Sequence, residues 1–146
     1  MRVASAALVG IALLVLSCDR IASVKIERAG GTAIATDAGS SPAVLVHLRL
    51  AEGRFGSPAE ITRAQDLELR VEKAIDISLA GQLDGNEIGD GEYVIYCYGP
   101  DADQLYAAIE PVLQANPWPL GGSVVKRHGP PGSRETTILL AASSGR

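Results

Sequence analysis

The chain has 146 residues and a mass of 15.2 kDa, which suits one domain and excludes a large multidomain enzyme. It is 47% hydrophobic, 21% charged and only 4% aromatic, a composition typical of globular rather than disordered or fibrous proteins. The net charge of −4 argues against nucleic acid as a partner. Two Cys are too few for an all-cysteine zinc site, and the two Cys and two His are too widely spaced to predict a zinc finger with mixed ligands.

The N-terminus predicts export. Arg2 precedes an apolar run from Val3 to Leu16, and the small residue Ser17 follows, as in a secretory signal peptide over residues 1–17. This run is shorter than the ~20 residues that a membrane-spanning helix needs.

The end of this segment, Val15 to Cys18, resembles the bacterial lipobox. The resemblance implies cleavage before Cys18 and acylation of its thiol, and several acyl chains hold a protein durably on a membrane. We therefore expect a lipid-anchored protein on the periplasmic side of the cell envelope, with inner or outer membrane left open. Ordinary soluble export, with cleavage elsewhere, is the alternative.

Residues 18–42 are rich in Ala, Gly, Ser and Thr and lack aromatic residues, which predicts a tether between the lipid and the domain. A loose hairpin is the alternative, because Val24 and Ile26 alternate with polar residues and a Gly-Gly turn follows. The single domain is then expected over residues 43–142, followed by a short tail, 143–146.

The first predicted strand follows Pro42, where AVLVHLRL places alternate apolar residues on one face. A helix is predicted next, because Ser57, Pro58 and Glu60 form a capping box with proline at the first helical position. Its apolar residues recur every three or four positions, and we expect it to end before Gly81.

Two strands joined by a glycine-rich turn are predicted over residues 81–99, with Gly85, Gly89 and Gly91 taking backbone conformations that other residues avoid. Asp101 then caps a second helix, in which Pro111 predicts a kink or a looser last turn.

A closing hairpin is predicted from residues 121–128 and 134–141, which flank a Gly-Pro-Pro-Gly turn. The order is β-α-β-β-α-β plus one strand. We therefore predict an α+β, ferredoxin-like antiparallel sheet with two helices on one face and an extra C-terminal strand.

Three segments resemble a family of small uncharacterised bacterial proteins: the stretch FGSPAE, the motif DGNEIGDGEY, and YGPDAD followed by a helix with an Ile-x-Pro step. The resemblance covers residues 50–135. It supports the same order of elements and implies no activity or cofactor.

The acidic turn from Asp84 to Glu92 invites comparison with a calcium loop, since hard cations need several oxygen ligands. Ile88 and Ile95 stand where an EF-hand loop requires ligands, so we predict a solvated turn and no metal. Glu87 and Glu92 remain available to contact a partner.

An enzyme would need His47 or His128 in a cleft together with an acidic residue of this turn. No nucleophile elbow or phosphate-binding glycine motif is present, so we assign no catalytic residue. Cys97 lies among apolar residues of a strand and is expected to be buried and inert.

The tyrosines either pack in the core with their hydroxyl groups reaching water or form an interface with a partner. Tyr96 and Tyr98 point to one face of the central strand, and Trp118 lies between two prolines, either plugging the end of a helix or forming an exposed anchor. We therefore expect a non-catalytic protein-binding or accessory module, with a small-ligand-binding domain as the alternative.

Overall fold

The computed structural model describes residues 41–143. The predicted signal peptide, the predicted lipidation site Cys18 and nearly all of the predicted tether lie outside these residues, as does the end of the tail. Among the described residues no helix is long and apolar enough to cross a membrane.

Seven elements follow one another in the predicted order. The strands and helices are β1 (Ala43–Arg49), α1 (Pro58–Ser78), β2 (Gln82–Gly89), β3 (Glu92–Tyr98), α2 (Ala102–Ala115), β4 (Gly122–Arg127) and β5 (Glu135–Leu140). All strand pairs are antiparallel, and the order across the sheet is β2-β3-β1-β4-β5. This is the predicted ferredoxin-like arrangement, with β5 added beside β4.

Both helices begin as their capping residues predict. Ser57 and Glu60 form a complete capping box: the hydroxyl of Ser57 accepts from the backbone of Glu60, and the Glu60 carboxylate accepts from the backbone of Ser57. Asp101 accepts from the backbone N–H groups of Asp103 and Gln104. The C-cap of α1 is Leu79, whose left-handed φ of 54° ends the helix two residues before Gly81.

Helix α2 continues through Pro111 to Ala115. A proline in a helix interior removes one hydrogen bond to the preceding turn, and here its ring lies on the exposed side of α2. The last turn ends at Asn116, whose backbone N–H donates to Val112 and Leu113.

The core lies between the sheet and the two helices. Alternation along β1 directs Val44, Val46 and Leu48 toward the helices, and all three are fully buried. The register pairs them with Cys97, Ile95 and Tyr93 of β3. Buried residues of α1 and α2 complete this layer: Ala64, Leu67, Val71, Ile75, Ala102, Leu105, Ile109 and Leu113.

In the β2–β3 turn one residue, Asp90, has a positive φ that the sequence does not predict. Asp90 and Gly91 both have positive φ, 52° and 81°, the combination of a two-residue turn that matches the twist of a hairpin. Gly85 also has a positive φ, of 147°, where the β2–β3 register shifts. Gly89 does not, so the prediction for that glycine is wrong and Asp90 takes the strained position.

Candidate functional site

The sheet has a second face that neither helix covers within the described residues. Side chains alternate between the two faces of a sheet along each strand. The residues of each strand that do not point toward the core therefore point to this second face, and the register of the five strands shows which residues these are. We call this surface the helix-free face. Its residues include Glu87, Glu92, Val94, Tyr96, Tyr98, Leu45, His47, Val125 and Leu139.

Four of the five predicted binding residues lie on the helix-free face. The Tyr96 hydroxyl donates to Oε2 of Glu87 at 2.9 Å, which joins β3 to β2 across the sheet. Burial and the neighbouring Glu87 carboxylate raise the pKa of the Tyr96 phenol, so its hydroxyl stays protonated and remains a donor. Tyr98 lies two residues farther along β3 on the same face.

The centre of the helix-free face is apolar. Leu45 of β1 pairs with Tyr96 on one side and with Val125 on the other, and Val94 lies next along β3. Leu139 of β5 is 80% exposed, which is high for a leucine in a sheet. An apolar centre with tyrosines and carboxylates around it is the composition of a protein-binding surface.

The histidine that an enzyme would need also lies here. Nδ1 of His47 is 3.0 Å from Oε2 of Glu92, so the structure does bring one histidine to an acidic residue of the predicted turn. Their side chains are 26% and 41% exposed, and neither residue lines either of the two cavities described below. A general base usually acts in a cleft that holds its substrate, and this pair lies on the sheet face that neither helix covers.

His128 is not brought to the acidic turn. It follows β4 at the end of the sheet where Arg127 pairs with Ala43, whereas Glu92 pairs with Arg49 at the other end. Its backbone N–H donates to Arg134 and closes the β4–β5 hairpin.

The side chains of the acidic turn point to different faces of the sheet and do not meet at one site. Asn86 faces the helix layer and donates to both carboxylate oxygens of Glu68 on α1, while Glu87 and Glu92 lie on the helix-free face. Within residues 41–143 no group of three His, Cys, Asp or Glu side chains is arranged to hold a metal ion.

Trp118 is not an exposed anchor, and that expectation is wrong. Its side chain is 4% exposed, and its indole Nε1 donates to the backbone oxygen of Arg49 at 2.6 Å. It therefore plugs the end of α2 against β1, which was the other interpretation. The loop after α2 places it on the helix side of the sheet, away from Tyr96 and Tyr98.

Glu68 is a polar residue that the sequence did not single out. Besides Asn86, its carboxylate accepts a hydrogen bond from the Tyr93 hydroxyl, whose aromatic ring is fully buried. Burial and this carboxylate raise the pKa of the Tyr93 phenol. The contact spans 25 residues of sequence, so no local pattern could have indicated it.

Cys97 is a free, buried thiol, as predicted. Burial, helped by the charge of Glu68, raises the pKa of the Cys97 thiol to about 12. Since the thiolate is the reactive form, we expect native Cys97 to react with Ellman's reagent roughly a hundredfold more slowly than the same chain in denaturant. Thiol titration of the Cys18→Ser variant, in which Cys97 is the single thiol, checks this before and after unfolding, and rapid labelling of the native variant would contradict the burial of β3.

Two cavities lie on the helix side of the sheet, on either side of Trp118. One, of about 370 Å³, lies between α2 and β5 and is mainly apolar. The other, of about 380 Å³, lies between α1 and the end of α2 and is lined by Arg63, Asp66 and Arg70 among others. The guanidinium of Arg63 lies 6.0 Å from the centre of the Trp118 ring.

Comparison with protein-family models, with curated proteins and with solved structures gives no significant match for this chain.

Proposed function

We propose that this protein is a lipid-anchored, non-catalytic module of the bacterial cell envelope that binds another protein through its helix-free face. The observation that carries the proposal is the convergence of Tyr96, Tyr98, Glu87 and Glu92 on one open sheet surface around an apolar centre.

The part of this face around Glu87, away from Arg49 and Arg127 on β1 and β4, favours a partner with basic side chains. Glu87 is hydrogen-bonded to a neutral phenol, so its negative charge is not balanced by that contact. Its side chain is exposed on β2, at the edge of the sheet. A lysine or arginine of the partner would pair with this carboxylate, while apolar residues of the partner would cover Leu45 and Val125.

Tyrosine suits such a contact because it has few rotatable bonds and combines an apolar ring with a polar tip. Tyr96 is already oriented by Glu87, which lowers the entropy lost when a partner orders it. The enzyme alternative has less support, because the His47–Glu92 pair lies outside both cavities.

Anchoring at Cys18 is tested by mass spectrometry of the chain purified from its native membranes. The expected product begins at Cys18 and carries the mass of its acyl groups. The Cys18→Ser variant should lose this mass and leave the membrane fraction. An unmodified terminus in the wild-type chain would refute the anchor while leaving the proposed binding surface untouched.

Protein binding is tested by crosslinking in intact cells followed by quantitative purification of the crosslinked partner. We expect Tyr96→Ala to weaken binding of one stoichiometric partner about thirtyfold and to lower its yield accordingly, since buried aromatic anchors contribute ~2 kcal/mol or more at interfaces. Glu87→Lys should reduce it through charge reversal opposite a basic partner.

The matched control is Glu72→Lys, which makes the same charge reversal on the exposed side of α1. It should leave the partner yield and the urea unfolding midpoint unchanged. Equal loss of binding in the control, or undiminished binding in both helix-free-face variants, would refute the proposed surface.

A further inference from the structure

The cavity between α2 and β5 has the size and lining of a small-molecule site. Its volume of about 370 Å³ lies within the range of roughly 300–1,000 Å³ that is typical of ligand pockets. Leu48 forms part of its wall on the sheet side, and Leu113 and Ile138 contribute from α2 and β5. We call it the α2–β5 cavity.

One charged side chain lies among these apolar walls. Of the described residues that line the cavity, Glu110 is the charged one, and none is basic. The Tyr106 hydroxyl and Nε2 of Gln114 both donate to Oε1 of Glu110, each at 3.2 Å. These bonds orient the carboxylate and leave Oε2 for a ligand.

Two aromatic residues line the same cavity as this carboxylate. Tyr106 and Trp118 both line the cavity, and the electron-rich faces of such rings attract organic cations. Lys126 and Arg63 approach these two rings at 5.4 and 6.0 Å, but neither basic residue lines the cavity itself. Among residues 41–143 the cavity therefore combines a negative charge, aromatic rings and an apolar floor with no basic residue in its lining.

We propose that the α2–β5 cavity binds a small amphiphilic organic cation, with its ammonium group at Glu110 and its hydrocarbon part against Leu48, Leu113 and Ile138. An anionic or purely apolar ligand would leave the carboxylate facing hydrocarbon, which is costly. The cavity meets the helix-free face only at Leu139, and its proposed ligand contacts do not depend on the proposed protein binding.

The chain provides its own reporter, because Trp118 is its single tryptophan. We would titrate the purified full chain with hexyltrimethylammonium, hexanol and hexyl sulfate, which share one alkyl length and differ in charge, and follow tryptophan fluorescence. The expected result is a saturable change for hexyltrimethylammonium at the lowest concentration, weaker binding of hexanol, and the weakest for hexyl sulfate.

The Glu110→Gln variant keeps the size of the side chain and removes its charge. We expect it to weaken the binding of hexyltrimethylammonium about five- to tenfold and to leave the affinity for hexanol unchanged. This is the effect of removing a partly exposed charge pair when an aromatic contribution to binding remains. Glu135→Gln, on the exposed start of β5 outside the cavity lining, is the matched control and should change neither affinity.

The proposal is overturned if hexanol or hexyl sulfate binds as tightly as the ammonium compound, or if Glu110→Gln leaves the selectivity intact. The absence of any saturable fluorescence change for all three probes would overturn it as well. Far-ultraviolet circular dichroism of each variant verifies that the fold is retained.

Discussion

Replacing Trp118 by Ala is expected to lower the free energy of unfolding by about 3–5 kcal/mol, the cost of removing a large buried aromatic side chain. The indole packs between the sheet and the end of α2 and is 4% exposed. Its removal would merge the two cavities that it separates, and a cavity in a packed core is not filled by relaxation alone.

The hydrogen bond from Trp118 Nε1 to the backbone of Arg49 is a smaller part of this cost. Trp118→Phe retains most of the ring and loses the donor, so it should cost about 1–2 kcal/mol. Urea unfolding of both variants, followed by circular dichroism, measures the difference. Wild-type stability of Trp118→Ala would show that the loop after α2 does not hold the indole in the core.

Gly122→Ala is the second substitution with a large expected effect, about 3 kcal/mol of lost stability. A Cβ atom at this position would overlap the backbone oxygen of His47 and approach the Cα atom of Leu48. Both are backbone groups of β1, so no side-chain rotation relieves the overlap. The β1–β4 pairing at Leu48 and Gly122 would have to open.

Gly89→Ala is the matched control, because a Cβ atom there would meet nothing within 4 Å and its φ is not left-handed. It should change stability by no more than about 0.5 kcal/mol. The two urea midpoints are therefore expected to separate clearly. Equal midpoints would contradict the close approach of β1 and β4 on which the sheet order depends.

Local chemistry accounts for how far the fold could be predicted. The Ser57 and Asp101 caps, the alternation along β1 and the Gly-Pro-Pro-Gly turn each act within a few residues, and the structure has all of these elements where they were predicted. The conformation of Asp90 is harder to predict from the sequence, because several residues of this glycine-rich segment can each adopt a positive φ.

The candidate site was predictable only in part, for a related reason. Alternation along β3 already separates Tyr96 and Tyr98 from Tyr93, so the sequence predicts two faces of one strand. It does not say which face the helices cover. That choice rests on the packing of Leu48, Ile95 and Tyr93 against α1 and α2, which involves residues distant in the chain.

Contacts over long sequence separations account for the remaining differences. The link between Trp118 and Arg49 spans 69 residues, and that between His47 and Glu92 spans 45. Glu110 is a candidate binding residue only because α2 and β5, which are distant in the chain, together enclose the cavity that it lines.

The amino-acid sequence by itself determined the helices, the strands and their order, because caps, turns and hydrophobic periodicity act over a few residues at a time. Only the tertiary structure decided that Trp118 is buried, that Glu87 and Tyr96 meet on the sheet face that neither helix covers, and that Glu110 lines a cavity. These depend on which surfaces are removed from water when distant segments pack, and that is a property of the whole core.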